Sequence, residues 1–390
     1  MNTISIRSAS QLLGHRNAWN RLSQASSCHL PTVRAEPLAN YLNTFHPADE
    51  FLAIVVTDAG RWVAALPLLI NKSAGLVRIG KSTSNPWSFN HDFLVLPDVN
   101  IVAVADAIKR TLSQENVAAL KLDWVDCEAP HWARLLQGFR GCRSHVSTEI
   151  GFQVGTIELD RSWQEYQGRL SKNFRKQLKR NGKKLEQLGQ LSFWSWQDDG
   201  GSDLISLIQI AFELEDKTWK GKQNSSVMKN PGMFEFYLNQ ATCLDKLGNF
   251  ELQFLMLDQR PIAFEYGYMV GKTYFSHKVS YDPAFSACSP GQLLVERQLK
   301  SWVDNGKVKT INTMGAISLA TSRWAPSVCS KGSVLISAGG FLTADICRIY
   351  SNAKRIYKHL RGKSQTDTTK HIANRQSNRQ IEPTKSTTGC

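Results

Sequence analysis

The hydrophobic pattern is most informative over residues 261–302, where an alternating segment gives way to one of helical spacing. Alternate positions over 262–268 are apolar, and Gly271 follows as a turn. Residues 274–281 are rich in aromatic and β-branched side chains, so the pattern predicts two antiparallel strands. A helix is predicted next, because Leu299 follows Val295 by four positions, and Trp302 and Val303 follow Leu299 by three and four.

The start of that helix carries the features of an anion-binding site. Ser289 can serve as the N-cap, Pro290 suits the first helical position, and Gln292 completes a Ser-x-x-Gln capping box. Small residues in the preceding loop would let backbone amides approach a ligand, and the free N–H groups of a helix N-terminus attract anions. The pattern equally suits an ordinary strand-to-helix connection, so a pyrophosphate site and a well-capped turn both stay open.

The rest of the pattern predicts an α/β organisation. Residues 1–150 read as a complete unit without a glycine-rich phosphate loop, and residues 151–345 as a second unit that contains the stretch described above. In the first unit the predicted strands are 51–56, 62–70 and 118–124, and the predicted helix is 101–112. In the second, a helix is predicted at 204–219 and strands at 250–257 and 308–312.

Residues 161–190 predict one long amphipathic helix with a basic face. Its apolar stripe at helical spacing is Trp163, Tyr166, Leu170, Phe174, Leu178, Leu185 and Leu188. Lys172, Arg175 and other cations fall on the opposite face. This face is either a solvated surface or a binding surface for an anionic substrate or for the 3′-phosphate of coenzyme A (CoA). An RNA-binding surface would be expected to expose aromatic side chains among the cations, and the aromatic residues here lie on the apolar face.

The C-terminal end differs in composition from the rest of the chain. A basic helix is predicted at 346–362. Far before it, within the second unit, a polar break is predicted at 198–202. Residues 363–390 consist mostly of Ser, Thr, Asn, Gln and Lys with almost no hydrophobic residues, so a disordered tail is predicted there.

Composition narrows the function classes only partly. The 390 residues include 42% hydrophobic residues, which suits a folded protein of two units, and the formal net charge is +14. That charge suits an anionic cofactor, a nucleic acid such as tRNA, an anionic membrane surface or a polyanionic polysaccharide. No apolar run is long enough to cross a bilayer and the first 30 residues lack a signal-peptide core, so a cytoplasmic location is expected.

The cysteines argue against a metal site. The chain has 8 of them, scattered without C-x-x-C spacing. Reduced, mostly buried thiols are therefore expected, and no zinc site is predicted.

Two short motifs in the second unit resemble a known family. The residues Tyr281-Asp282-Pro283 followed by Ser289-Pro290-Gly291 and an amphipathic helix are similar to the acetyl-CoA-binding segment of the GNAT acyltransferases. More narrowly, the chain resembles the CelD/BcsL-type acetyltransferases of bacterial polysaccharide biosynthesis, which are relatives of the FemAB aminoacyl transferases. The resemblance implies a tandem GNAT-like α/β fold with two mixed-sheet halves, 1–150 degenerate and 151–345 with the acyl-CoA site.

The resemblance also implies the residues of the binding site. Acetyl-CoA or another acyl-CoA is expected at Ser286, Ala287, Cys288, Ser289, Gly291 and Gln292. The segment EDKTWKG at 215–221 is similar to a Glu-x-x-x-Trp-Lys-Gly segment of the same family. It implies a substrate-binding set of Glu215, Trp219, Lys220, Lys172 and Arg175. Plain helix packing with a solvated carboxylate is the alternative for Glu215 and Trp219.

Acyl transfer from a thioester needs a base for the acceptor and a proton for the leaving thiolate. Within the two predicted strands, Glu265 and His277 are the titratable candidates for the base, and Tyr274 is a candidate proton donor. Burial would raise the pKa of such a carboxyl group, and a histidine titrates near neutrality. Structural roles in the core are the alternative for all three. A covalent acyl-Cys288 route lacks a histidine partner at a recognisable spacing.

The predicted function is transfer of an acyl group to an amine or hydroxyl of a sugar or cell-envelope precursor. One alternative keeps the fold and replaces CoA with aminoacyl-tRNA, as in FemAB relatives. Another is a non-catalytic binding protein, because the sequence has Asn312 where the family has an acidic residue and Ala320-Thr321 where it has a Tyr-Lys pair. No G-x-S-x-G, H-E-x-x-H or Walker motif is present.

Overall fold

The computed structural model describes residues 1–26, 30–73, 77–159, 162–196, 203–325, 327–339, 343–345 and 347–349. The predicted break at 198–202, the predicted tail at 363–390 and all but three residues of the predicted helix at 346–362 lie outside this part of the chain. No helix among the described residues is both long and apolar enough to cross a membrane.

The N-terminal half, up to β9, alternates strands and helices as the hydrophobic pattern predicted. Its elements are β1 (Asn2–Ile6), α1 (Ala9–Gly14), α2 (Arg16–Ala25), α3 (Ala35–Phe45), β2 (Glu50–Asp58), β3 (Arg61–Ser73), β4 (Val77–Lys81), β5 (Ser84–Asn85), β6 (Ser88–Phe89), β7 (Leu94–Val95), α4 (Ile101–Gln114), β8 (Val117–Asp126), α5 (Pro130–Gly141) and β9 (Val146–Glu158). The position chosen as the end of the first half, residue 150, falls inside β9.

The C-terminal half repeats the same order of elements. It consists of α6 (Trp163–Arg169), α7 (Lys172–Glu186), β10 (Leu191–Ser195), α8 (Leu204–Asp216), α9 (Trp219–Lys222), α10 (Met233–Lys246), β11 (Phe250–Leu257), β12 (Arg260–Val270), β13 (Thr273–Tyr281), a 3-10 helix (Pro283–Cys288), α11 (Pro290–Asn305), β14 (Thr310–Ala316), α12 (Leu319–Ser322) and β15 (Ser327–Ser337).

The single long helix predicted at 161–190 was wrong. Leu170 has an extended backbone, with ψ of 144°, and separates α6 from α7. Each helix has its own serine cap: Ser162 forms a capping box with Glu165, and the Ser171 side chain accepts a hydrogen bond from Phe174 N. The local capping hydrogen bonds thus override a hydrophobic stripe that runs through both helices.

One sheet joins the two halves. It has 13 strands in the order β1-β2-β3-β4-β8-β15-β9-β14-β13-β12-β11-β10, with β7 paired to β3. In each half four consecutive antiparallel strands lead to one parallel pair, β4 with β8 and β13 with β14. The last strands are exchanged, because β15 pairs with β8 of the first half and β9 pairs with β14 of the second. The exchange makes the halves one hydrogen-bonded unit.

Two hydrophobic cores cover the sheet in the C-terminal half. Phe212 of α8 and Tyr237 of α10 pack with Tyr266 of β12 in the larger core. Leu294 and Trp302 of α11 pack with Tyr274 of β13 in the second core. Alternating side chains of β12 and β13 therefore face different helices.

The exchanged strand β15 gives a test of this architecture. A Cβ at Gly332 would overlap the carbonyl oxygen of Glu149 in β9. We expect Gly332→Ala to lower the free energy of unfolding by about 2 kcal/mol through overpacking, measured by chemical denaturation. The unfolding transition should stay single, because β15 holds both halves.

The matched control is Gly168→Ala in α6, where an added Cβ meets no atom within 4 Å. That change should leave stability unaltered or raise it by about 0.5–1 kcal/mol, as expected for glycine replaced by alanine in a helix. An unaltered stability in the Gly332→Ala variant, or separate unfolding of the two halves, would contradict the strand exchange.

Candidate active site

The two parallel strands of the C-terminal half separate soon after they meet. β13 pairs with β14 only from Thr273↔Thr310 to Phe275↔Asn312, although β13 continues to Tyr281 and β14 to Ala316. Met314 has a positive φ of 53° within an irregular stretch of β14, so the strand bends at this point. The part of β13 beyond Phe275 is left with a strand partner on one edge only.

A cavity of about 730 Å³ opens at this gap. Residues of β12, β13, β14, the 3-10 helix, α11, α12 and the segment around α9 meet in its wall. The lining is largely apolar and includes three cationic side chains, Lys220, Lys222 and Arg323. A concave site with a few convergent polar groups is the usual form of a small-molecule site.

The N-terminus of α11 lies at this cavity without the predicted capping box. Ser289 has a left-handed backbone, with φ of 50° and ψ of 56°, and its side chain makes no capping hydrogen bond. The Gln292 side chain instead accepts a hydrogen bond from Trp324 Nε1 at 2.7 Å. The capping box was wrong, and for a physical reason: an N-cap side chain reaches the helix amides from an extended backbone, not from a left-handed one. The Ser289 side chain therefore does not cover the first turn, and it is the Ser289 carbonyl oxygen that accepts hydrogen bonds from Gln292 N at 3.0 Å and Leu293 N at 3.3 Å.

The loop before α11 is fixed by Asp282. Its Oδ1 atom accepts a hydrogen bond from Ala284 N at 3.0 Å, and its Oδ2 atom lies 2.6 Å from Arg260 Nη2. Four of the six predicted CoA-binding residues then line the cavity: Ser286, Ser289, Gly291 and Gln292. Ala287 is not among the lining residues, and Cys288 is buried in the hydrophobic core.

Glu265 is the acidic side chain that β12 contributes to the cavity wall, and it is only 2% exposed. Burial raises the pKa of this carboxyl group from 4.5 to about 7, and the polar side chains of Ser276 and Gln298 beside it limit the rise. A carboxyl group with this pKa can accept a proton near neutral pH, as a general base must.

The other two predicted catalytic residues lie outside the cavity wall. Tyr274 is fully buried against Trp302, with ring centroids 4.5 Å apart, and burial raises the pKa of its hydroxyl well above 10.0. Its buried hydroxyl has no hydrogen-bond partner among the described residues. His277 lies among the aromatic rings of the larger core, with Nε2 3.1 Å from the Trp87 carbonyl oxygen. Burial lowers the pKa of His277 to about 3, so the ring is neutral at neutral pH.

The predicted substrate-binding residues fall into two places. Trp219 and Lys220 line the cavity, and the Trp219 side chain is 61% exposed. Glu215 is buried, and its carboxylate accepts hydrogen bonds from Lys220 Nζ at 2.5 Å and Val227 N at 3.0 Å. It therefore holds the α9 segment in position. Lys172 and Arg175 line a separate basic groove with Lys176, Lys179, Arg297 and Lys300.

The corresponding helix of the N-terminal half has a closed N-terminus. Asn100 caps α4 through its side-chain oxygen, which accepts hydrogen bonds from Val102 N and Ala103 N, both at 3.2 Å. A side chain thus satisfies two first-turn amides of α4, whereas no described side chain caps α11. That the first half is degenerate stays a prediction.

Two further residues of the wall were not found from the sequence. Gln298 hydrogen-bonds the Gln253 side chain and lies between Leu294 and Trp302 on the buried face of α11. An amide at a buried helical position is a signal that the sequence offered. Trp324 donates to Gln292 and packs edge-on against Phe174, with centroids 4.9 Å apart. No spacing rule connects Trp324 with α11.

Comparisons with known proteins agree with this geometry. A family model described as an acetyltransferase (GNAT) domain matches residues 172–318, which include the 3-10 helix, α11 and both separated strands. The chain therefore contains the GNAT fold. No curated protein matches the chain by sequence.

Three solved structures show how far the fold extends. FemX superposes with a TM-score of 0.56 at 12% identity, over 86% of this chain and 97% of that one. A conserved protein of unknown function from Bacteroides thetaiotaomicron superposes with a TM-score of 0.54 at 11% identity, over 83% of this chain and 97% of that one. The C-terminal domain of a putative lysylphosphatidylglycerol synthetase from Agrobacterium fabrum superposes with a TM-score of 0.50 at 10% identity, over 85% of this chain and 94% of that one. These likenesses cover both halves and confirm the predicted α/β tandem GNAT-like fold. The narrower CelD/BcsL likeness stays a prediction.

The raised pKa of Glu265 makes stability depend on pH in a defined direction. The folded chain prefers the neutral carboxyl group. The contribution of Glu265 to the free energy of unfolding is therefore complete below pH 4.5, the pKa in the unfolded chain, and is lost as pH rises through about 7, the pKa in the folded chain. We expect Glu265→Gln to gain stability relative to the native chain between about pH 5 and about pH 8, by about 1.4 kcal/mol for each unit of pKa difference. Denaturant titrations across this range measure the gain.

The exposed carboxylate of Glu186 in α7 provides the control. The free energy of unfolding of the Glu186→Gln variant should differ from that of the native chain by the same amount at every pH. A pH-independent difference for the Glu265→Gln variant would show that Glu265 is not a buried carboxyl group with a raised pKa.

Proposed function

We propose that this chain is an acyl-CoA-dependent acyltransferase that modifies an amine or hydroxyl of a polysaccharide or cell-envelope precursor. The observation that supports this best is the gap between β13 and β14, which opens on the 730 Å³ cavity at the uncovered N-terminus of α11. A strand edge without a partner strand and a helix N-terminus without a side-chain cap are suited to a long, polar, anionic donor.

The first turn of α11 and its cationic neighbours would hold the phosphates of the donor. The Ser289 side chain does not cap the helix, and its carbonyl oxygen accepts from the amides of Gln292 and Leu293, so among the described residues of the first turn the Gly291 amide is the one left for a ligand. Gly291 also has no side chain between the helix and the cavity. An added Cβ at Gly291 would meet only Tyr281, at 3.6 Å, so the space beside this backbone is free. Arg323 and Lys222 line the same cavity and supply positive charge. The residues present therefore fit acetyl-CoA or another acyl-CoA.

When bound, the thioester supplies an activated carbonyl carbon. The acceptor nitrogen or oxygen forms a bond to that carbon, the carbon–sulfur bond breaks, and the acceptor proton must be removed as this happens. Glu265 is the group of this chain placed to take that proton, directly or through water, since its pKa of about 7 leaves it partly ionised at neutral pH. The proton is finally delivered to the leaving thiolate, which balances the reaction.

Trp219 would provide the contact surface for the acceptor. Its side chain is largely exposed at the cavity, while the Lys220–Glu215 ion pair fixes the segment that carries it. No packing within the described part of the chain covers most of this aromatic ring. A ligand bound in the cavity could cover it and gain contact with its apolar face.

A second candidate function is transfer from aminoacyl-tRNA. The observation that favours it is the basic groove of about 790 Å³ between α7 and α11, lined by Lys172, Arg175, Lys176, Lys179, Arg297 and Lys300. Such a groove suits a nucleic-acid backbone. We prefer acyl-CoA because the uncovered helix N-terminus and the gap lie at the cavity rather than in this groove.

Calorimetric titration with acetyl-CoA tests the proposal through Gly291→Trp. An indole at 291 would occupy the space beside the first turn of α11, so we expect at least a tenfold loss of affinity for acetyl-CoA. Asp304→Trp, at an exposed position near the other end of the same helix, is the matched control and should bind as the native chain does.

Equal binding by both variants would place the donor elsewhere. Absence of acetyl-CoA binding to the folded native chain would overturn the proposal. Salt-sensitive binding of aminoacyl-tRNA, weakened by Lys176→Glu, would in that case support the second candidate. Tight acetyl-CoA binding without thioester consumption in the presence of saccharide acceptors would instead indicate a non-catalytic binding protein.

A further inference from the structure

A second cavity, of about 420 Å³, lies where the two halves of the sheet meet. We call it the central cavity. The N-terminal half contributes β8, β9, the start of α5 and residues between β4 and α4, and the C-terminal half contributes β13, β14 and β15.

The central cavity lies on the opposite side of the sheet from the 730 Å³ cavity at the β13–β14 gap, which we call the donor cavity. Along β14, Ile311 and Thr313 line the donor cavity, and Thr310, Asn312 and Met314 line the central cavity. Neighbouring residues of β9 divide in the same way, with Ile157 on the donor side and Thr156 on the other. Successive side chains of a strand point to opposite faces, so the thickness of one sheet separates the two cavities.

Aromatic rings form much of the wall of the central cavity. Trp124 lies between Phe89 and Phe152, with ring centroids 4.9 Å and 5.0 Å away. Phe275 from β13 and Trp132 from α5 add further aromatic surface. Such flat, weakly polarised surfaces favour contact with C–H groups of a ring-shaped ligand.

Polar groups are placed among these rings. Asp92 Oδ1 accepts hydrogen bonds from His131 Nε2 and Trp132 Nε1, both at 2.7 Å. Lys331 Nζ donates to Asp126 Oδ2 at 3.0 Å. The buried hydroxyl of Ser84, which also lines the cavity, has no hydrogen-bond partner among the described residues. Donors and acceptors thus alternate with aromatic surface.

We propose that the central cavity binds a neutral or amino-substituted saccharide ring, at a site separate from the donor cavity. This inference goes beyond the proposed acyltransferase function, because Glu265 and Trp219 line the donor cavity on the other side of the sheet. Aromatic faces contact the ring, and the Asp92–His131 and Asp126–Lys331 pairs hydrogen-bond its hydroxyl or amino groups.

The charges in the cavity exclude two other ligand classes. A hydrocarbon chain would desolvate two ionisable pairs and the Ser84 hydroxyl without replacing their hydrogen bonds with water, which is costly. An anionic sugar would meet two carboxylates, Asp92 and Asp126, against one lysine. A neutral polyol or an amine satisfies the same groups without repulsion.

Saturation-transfer NMR with three small probes tests the inference. Cellobiose and glucosamine should bind the full-length chain, and glucuronate should bind at least tenfold more weakly. Phe152→Ala removes one aromatic wall and Asp92→Asn removes the charge that orients His131, so each should weaken cellobiose and glucosamine binding at least tenfold. Both variants should keep acetyl-CoA affinity within twofold, because neither residue lines the donor cavity.

Phe193→Ala in the edge strand β10 is the control, since Phe193 is also a partly buried strand phenylalanine but lies far from both cavities in the sheet order. It should bind all probes as the native chain does. Failure of every neutral or amino probe to bind, binding unaffected by the two cavity variants, or equal binding of glucuronate would overturn the inference. Loss of acetyl-CoA binding in the native chain is a separate result that tests only the proposed function.

Discussion

The site depends on the early separation of β13 and β14. Two parallel strands that stayed paired along their full length would leave no opening between the sheet faces and no unpaired strand edge. Here the pairing stops at Phe275↔Asn312, and the bend at Met314 directs β14 away. Three features follow from this one interruption of the sheet: the cavity, the place of Glu265 in its wall and the position of the α11 N-terminus.

The interruption has to be compensated elsewhere, because an open gap in the middle of a sheet weakens it. The exchange of β9 and β15 provides this compensation, since each half ends in a strand bound to the other half. The N-terminal half carries the same parallel pair, β4 with β8, but its helix α4 is capped by Asn100. The repeat therefore carries one open helix end and one closed one.

The sequence predicted the order of elements around the site well. The alternation over 262–281 and the spacing of Val295, Leu299 and Trp302 match β12, β13 and α11. Local periodicity is a direct consequence of burial on one face, so it is readable from the chain alone.

The sequence predicted less well which core a strand side chain faces and how a helix is capped. At the bulge, Tyr266 pairs with Lys278 and Gly267 with Ser276, so His277 is the extra residue and lies in the larger core. The left-handed Ser289 and the Trp324–Gln292 hydrogen bond depend on tertiary contacts that no sequence spacing records. The Asp92–His131 pair joins residues of a loop and a helix start, 39 positions apart.

The most direct test of the central claim is hydrogen–deuterium exchange of the full-length chain with and without acetyl-CoA. Our account expects slower exchange concentrated in the second part of β13, the loop 286–292 and the segment 313–324, which surround the gap. The amides of α4 and its Asn100 cap should exchange at the same rate in both states. Protection confined to the basic face of α7, or spread over the central cavity instead, would contradict the assignment of the donor to the β13–β14 gap.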